Sequence, residues 1–138
     1  MRKTILAGAL AMFCVAMAVS VQGQTTSTVW SKIYTAEQAK RGETIFKDNC
    51  SPCHAEDLTG ADGPALKGEL FTIMWDGQSL GRLFQRLRRM PPRRTPLELE
   101  EYRDALAFIL QANGYPAGER ELSTDVSSLE EIAIAPKP

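Results

Sequence analysis

Two thiols three positions apart, with an imidazole directly after the second, constrain this chain more than any other feature: Cys50-Ser51-Pro52-Cys53-His54. That arrangement is the one that attaches a c-type haem. The sulfurs of Cys50 and Cys53 would form thioethers to the haem vinyl groups, while the His54 imidazole, carried by the same short turn, would ligate the iron as its proximal ligand. His54 is the only histidine, and the one other cysteine, Cys14, sits in an apolar N-terminal stretch. A thioredoxin-like redox pair would need a preceding strand and a βαβ context, and a zinc site would need further Cys or His ligands. Neither is present in the sequence.

The beginning of the chain points to export. Arg2 and Lys3 precede an apolar stretch from Ile5 to about Val19, and small and polar residues follow from Ser20 to Thr26. This order reads as a cleaved secretory leader over residues 1–23, and hence as a periplasmic location. The apolar stretch is shorter than the ~20 residues a spanning helix needs, so cleavage is preferred to anchoring and no stable membrane insertion is expected. Cleavage after Ala18 and cleavage after Gly23 both fit. Cys14 follows Met12 and Phe13 rather than the small residues a lipoprotein anchor wants.

The 138 residues hold 16 Lys plus Arg and 17 Asp plus Glu, a net charge of −1. Losing the leader removes Arg2 and Lys3 and no acid, which leaves one small, mildly acidic domain. A domain of this size buries only a modest core, so a covalent cofactor that brings its own apolar surface suits its stability problem. Negative charge without a recognised binding motif argues against nucleic acid. No internal repeat is visible, and nothing after the leader is low-complexity.

Helical signals dominate the rest of the chain. Thr35-Ala36-Glu37-Gln38 reads as a capping box and predicts a helix to about Asn49, delivering the chain into the Cys-His motif. Residues from Ala55 to Lys67 are rich in Gly, Asp and Pro, including Gly60, Gly63 and Pro64, and predict a loop. A short helix is expected from about Gly68 to Trp75. Ser79 opens a second amphipathic helix, with Leu80, Leu83, Phe84 and Leu87 on one face and Arg82, Arg86 and Arg89 opposite, ending near Arg89. Thr95-Pro96-Leu97-Glu98 combines an N-cap, a first-turn proline and an acid, and starts the strongest helix, through Tyr102, Leu106, Phe108, Ile109 and Leu110. Asn113-Gly114 ends it, with Gly114 suited to a left-handed cap and Pro116 just beyond. The tail from Ala117 to Pro138 carries scattered Leu122, Leu129, Ile132 and Ile134 and is expected as an extended strap. No strand pattern is long enough for a sheet.

The order of helix, Cys-x-x-Cys-His, Gly-Pro loop, short helix, Met-Pro loop and terminal helix resembles a class I cytochrome c over about Tyr34 to Leu122. Gly63-Pro64-Ala65-Leu66, Phe71, Trp75, Met90-Pro91-Pro92 and Leu106-Ala107-Phe108-Ile109-Leu110 through Asn113-Gly114-Tyr115-Pro116-Ala117-Gly118 are similar to small bacterial periplasmic monohaem cytochromes. Several of those serve periplasmic dehydrogenases, quinoprotein ones among them. The resemblance implies an all-α cytochrome c fold, three to four helices wrapped around one covalently bound haem, with an extended C-terminal tail. The expected divisions are the leader at 1–23, a flexible segment at 24–33, the cytochrome c domain at 34–122 and the tail at 123–138.

Site roles follow from the same resemblance. Met90, just past the second helix and ahead of two prolines, stands where the family places the second axial ligand, so His54 and Met90 would hold the iron. Met74 is the rival; within the apolar run of Leu70, Phe71 and Ile73 it is expected to be a core methionine. The stretch between His54 and Met90 is shorter than in many relatives, implying a trimmed distal loop and a more exposed haem edge. The Pro64 carbonyl would accept the second ring N–H of His54, or Pro64 would be a turn residue only. Trp75 would meet a haem propionate through its indole N–H, or merely bury area. Gly42 and Phe46 resemble the pair that crosses the terminal helix at its aromatic, here Phe108. Arg82, Arg86, Arg88, Arg89, Arg93 and Arg94 crowd around Met90, while Glu98, Glu100, Glu101 and Asp104 lie beyond. They form either a solvated face with local ion pairs or a basic ring that steers an acidic redox partner.

The expected function is a periplasmic single-electron carrier with one haem c and no catalytic residue, not an enzyme. Its redox partners would be a dehydrogenase as donor and a terminal oxidase or another cytochrome as acceptor. Two alternatives stay beside it: a haem enzyme or sensor with a labile distal ligand, and a dedicated haem subunit of a dehydrogenase complex, docked through the tail.

Overall fold

The computed structural model describes residues 27–92 and 95–138, so the leader with its Cys14, and the arginines at 93 and 94, lie outside the described residues. As the sequence predicts, the regular structure among the described residues is almost all helix: α1 Ala36–Asn49, α2 Ser51–His54, α3 Gly68–Trp75, α4 Leu80–Leu87, α5 Leu99–Ala112 and α6 Val126–Glu130. That makes six helices among the described residues rather than three or four, because the haem-motif turn and a tail segment are helical too.

Thr35 starts α1, its Oγ1 accepting the Gln38 N–H at 3.1 Å. Gln38 does not close a capping box with its side chain; it is buried, and its Oε1 accepts the Leu122 N–H at 2.9 Å from beyond the terminal helix. Helix α5 crosses α1 at Gly42, where a Cβ would land inside the van der Waals shell of the Asp104 carbonyl oxygen. Phe46 and Phe108 meet at the same crossing with ring centroids 5.4 Å apart. Arg41 ties the pair together, reaching Asp104 and Glu121 at 2.7 Å each, and Arg103 adds a second contact to Glu121 at 3.1 Å.

Helix α5 begins later than Thr95-Pro96 suggests. Its N-cap is Glu98, whose N–H donates to the Glu101 carboxylate at 2.9 Å. The Leu97 N–H is already taken by the Tyr102 hydroxyl at 3.1 Å, which holds the preceding residues in an extended approach. At the other end Gly114, with φ +80°, closes a Schellman motif: its N–H reaches Gln111 O at 2.9 Å and the Tyr115 N–H reaches Leu110 O at 3.2 Å. Helix α4 stops at Leu87 instead of Arg89, tightening through Arg89 N–H to Arg86 O and Met90 N–H to Leu87 O, because Pro91 and Pro92 cannot continue it.

The tail differs most from expectation. Asp125 accepts the N–H groups of Ser127 and Ser128 at 3.2 Å each and starts α6; the Ser128 and Ser127 hydroxyls, and then these backbone bonds, hold its carboxyl down at about 2. Beyond α6, β2 (Ile132–Ala133) pairs in parallel with β1 (Ser27–Thr28), in a register of Ser27 with Ile132 and Thr28 with Ala133. Strands of two residues leave no alternation for a sequence pattern to show. Residues 27–33, expected to be flexible, are thereby joined to the far end of the chain, and the Trp30 indole donates to the carbonyls of Ala135 and Pro136 at 3.0 and 2.8 Å. Leu122, Leu129 and Ile134 are almost wholly buried.

Tyr34 sits at this junction, 1% exposed, donating to the Tyr115 carbonyl at 2.5 Å. Burial pushes its hydroxyl from 10.0 up to about 12. A value raised on folding favours the fold fully below about pH 10 and loses that contribution as pH climbs through about 12. Two pKa units correspond to about 2.7 kcal/mol. Urea denaturation between pH 8 and pH 12 should therefore show stability falling at the alkaline end in the parent and much less in Tyr34→Phe; equal losses would remove Tyr34 as the cause.

Candidate cofactor site

Helix α1 runs straight into the motif, with Cys50 both its C-cap and the N-cap of α2. Pro52 occupies the first turn of α2, where a missing N–H is harmless. The Cys53 and His54 N–H groups both bond to Cys50 O, at 3.2 and 3.0 Å, so both thiols and the imidazole emerge from one turn. Cys50 is half-buried and Cys53 exposed. Burial, and then the neighbouring Cys53, push the Cys50 thiol up to about 11.

The loop from Ala55 to Lys67 folds back over this turn. Gly60 N–H bonds to His54 O at 3.0 Å and Gly63 N–H to Cys53 O at 2.8 Å. His54 Nδ1 and the Pro64 carbonyl oxygen are 2.8 Å apart. A carbonyl can only accept, so the contact places a proton on Nδ1 and leaves Nε2 as the ring nitrogen free of this bond. Gly63 seats the ring: a Cβ there would stand 2.7 Å from His54 Cε1. The sequence marks Gly63 only as a loop glycine, since the imidazole it faces is nine residues away.

A cavity of about 320 Å³ opens beside the motif, bordered by Cys50, Cys53, His54 and Pro64. Leu66, Trp75, Leu83 and Leu87 give it an apolar wall, and Met90, Pro91 and Pro92 also line it. The Trp75 indole N–H is buried and has no partner among the described residues, an orphan donor of the kind a ligand's acidic edge satisfies. Two thiols, an imidazole, thioethers and a chamber with an apolar wall fit haem. Among the described residues, no three His, Cys, Asp or Glu side chains gather to hold a metal ion by themselves.

Met74 needs a correction. It is 46% exposed and borders the cavity, not the core; with Leu70 at 62% and Ile73 at 68% it forms the outer face of α3, which buries Phe71 alone. An apolar run on a two-turn helix cannot bury every side when one face meets the chain. Met90 lies on irregular backbone held from both sides: its N–H bonds to Leu87 O at 2.8 Å, and its carbonyl accepts the Tyr102 hydroxyl at 2.6 Å. Sequence reasoning missed Tyr102, whose one signal was a phenol amid the buried face of α5. Asn113 is by sequence a helix stop, and in the fold its Nδ2 also donates to Leu66 O at 2.9 Å and its Oδ1 accepts the Gly68 N–H at 3.0 Å, tying the loop wall to α5.

Arg82, Arg86, Arg88 and Arg89 are exposed, and Arg86 borders the cavity. Among the described residues none of the four pairs with a carboxylate, whereas Arg41 and Arg103 do. Glu98 and Glu101 serve the start of α5 instead.

Residues 37–109 match a family model described as cytochrome C oxidase, cbb3-type, subunit III. No curated protein and no solved structure matches the chain.

Gly63→Ala tests the seat of the imidazole. The added methyl must displace the ring or the loop, and overpacking of this kind costs about 1–3 kcal/mol. Urea denaturation of the cofactor-loaded chain should show a loss of that size; an unchanged midpoint would mean that residue 63 does not confine His54.

Proposed function

The chain belongs to the c-type cytochrome family whose model is described as cytochrome C oxidase, cbb3-type, subunit III, and on that premise we propose that it is a periplasmic single-electron carrier whose iron is held by His54 and Met90. Haem c, attached through Cys50 and Cys53, supplies the one-electron couple. The observation that carries the reading is the His54 to Pro64 contact at 2.8 Å, which occupies Nδ1 and leaves Nε2 as the nitrogen for the iron on a residue bordering the cavity. A ring N–H bonded to a carbonyl is also a more basic ligand. Met90 is preferred to Met74 because its backbone is pinned at both N–H and carbonyl by Leu87 and Tyr102. Leu66, Leu83 and Leu87 give a haem ring an apolar surface to pack on, and the Trp75 N–H, without a partner among the described residues, would meet a propionate.

The leader-like order of residues 1–23 supports export, and no described helix is long and apolar enough to cross a membrane. With one histidine in the chain, a distal imidazole base is lacking, which favours a carrier over a peroxidase-like enzyme. The dedicated-subunit reading loses its docking strap, since Leu122, Leu129 and Ile134 are buried against the chain's own domain. Exposed Arg82, Arg86, Arg88 and Arg89, which pair with no carboxylate among the described residues, favour an acidic partner, with a dehydrogenase as donor. The family description names an oxidase subunit, which supports an oxidase or its cytochrome as acceptor.

Met90→Ala should lower the reduction potential, axial identity being a lever that spans about 0.8 V across haem proteins. It should also let added imidazole bind the oxidised protein. Redox titration and visible spectra check both, and a potential and spectrum identical to the parent's would refute the ligand. For the partner, stopped-flow reduction of an acidic redox protein should slow by about tenfold or more as screening sets in between low and physiological salt. Arg86→Glu should flatten that dependence; a slope unaltered by the reversal would mean the arginines are only a solvated face.

A further inference from the structure

Helix α4 supplies Leu83, Arg86 and Leu87 to the cavity and hands the chain directly to Met90, whose N–H closes on Leu87 O at 2.8 Å. Where α4 lies therefore decides where Met90 lies. Its main neighbour is α6 of the tail, with α5 a lesser one. Gly81 lets the two helices touch, since a Cβ there would stand 2.8 Å from the Glu130 side chain and 2.9 Å from its backbone nitrogen. The Glu130 carboxylate grips α4 at two levels: it accepts the hydroxyl of Ser79, the N-cap of α4, and the Gln85 Nε2–H at 3.1 Å. The segment leading into α4 is held as well, by Gly77 N–H to Ile134 O and Ile134 N–H to Gln78 O, both at 2.9 Å. Leu129 and Ile134 anchor the tail in the core at 0% and 1% exposure. None of these tail residues falls in the stretch from 37 to 109 that matches the family.

We propose that residues 123–138 are an internal brace, with Glu130 as its positioning residue, that fixes α4 and so keeps Met90 seated on the iron against competing ligands. The brace rests on the His54 and Met90 assignment. An external ligand binds only the molecules whose thioether has left, so its apparent affinity reports the population of that state.

The experiment measures imidazole binding to the oxidised, fully matured protein by visible absorbance. Glu130→Ala should bind imidazole about tenfold more tightly than the parent, the shift expected from losing hydrogen bonds to a charged group. Met90→Ala should bind it most tightly, and Glu130→Gln, which keeps an acceptor oxygen and the side-chain length, should fall between parent and Glu130→Ala. Lys47→Ala breaks the exposed Lys47–Glu43 pair on α1, outside the crossing and the tail, and should leave the affinity at the parent value. An equal rise in Lys47→Ala would mean general softening and would overturn the brace. Parent-like binding in Glu130→Ala, with tight binding in Met90→Ala, would overturn the brace alone; parent-like binding in Met90→Ala would overturn the ligand assignment beneath it. Should Glu130→Ala not mature, Gln85→Ala removes one of the two grips, and an affinity unchanged there would count against the proposal.

Discussion

At position 42 a hydrogen stands where any other residue has a side chain, and through that gap the backbones of α1 and α5 meet. Both walls of the site hang from this crossing. Helix α1 ends in Cys50 and carries the thiols and His54. Helix α5 carries Tyr102, which holds the Met90 carbonyl, and Asn113, which holds the loop at Leu66 and Gly68. The separation between the His54 side and the Met90 side is thus set by where two helices touch, not by the loop and short helices that join them in sequence. The ion pairs of Arg41 and Arg103 with Asp104 and Glu121 lie on the same crossing, and Asp104, 5% exposed, sits within them. Partly exposed pairs add little stability singly, so their service is to orient the helices rather than to hold them.

What the sequence made legible were features whose partners are local. Cys-x-x-Cys-His needs one turn, and it received one. Thr35 and Ser79 each cap the helix they precede, by accepting an N–H three residues on. Gly114 ends α5 through bonds that span five residues or fewer. Leu80, Leu83, Phe84 and Leu87 show the inner face of α4 by spacing alone. Where the deciding partner is distant, local reading failed. Thr95 is a good cap by type, yet Tyr102 captures the Leu97 N–H and moves the start of α5 to Glu98. Gln38 fits a capping box, yet Leu122 takes its side chain across 84 positions. Met74 looks like core in an apolar run, but only tertiary contact decides which face of α3 is covered.

Charge divides along the same lines. The carboxylates near α5 are spent on structure: Glu101 on the helix start, Asp104 and Glu121 on the crossing. The arginines of α4 have no such duty among the described residues, and they stand exposed beside a cavity whose wall is apolar. Such a distribution keeps the fold independent of these arginines, so reversing one leaves the core intact.

The two ends of the described chain meet in a parallel pairing of Ser27–Thr28 with Ile132–Ala133, too short to be stable alone, since two-stranded elements are marginal in water. It persists because Val29, Leu129 and Ile134 are buried beside it, and because the Trp30 indole reaches the carbonyls of Ala135 and Pro136. Those burials couple the N-terminal segment, the tail and α4 into one packed unit. A domain this small has few ways to hold a loop that borders an open cavity. Here the loop is held by Tyr102 from α5, while the helix that leads into it is backed by α6, and the two supports reach Met90 from different parts of the chain.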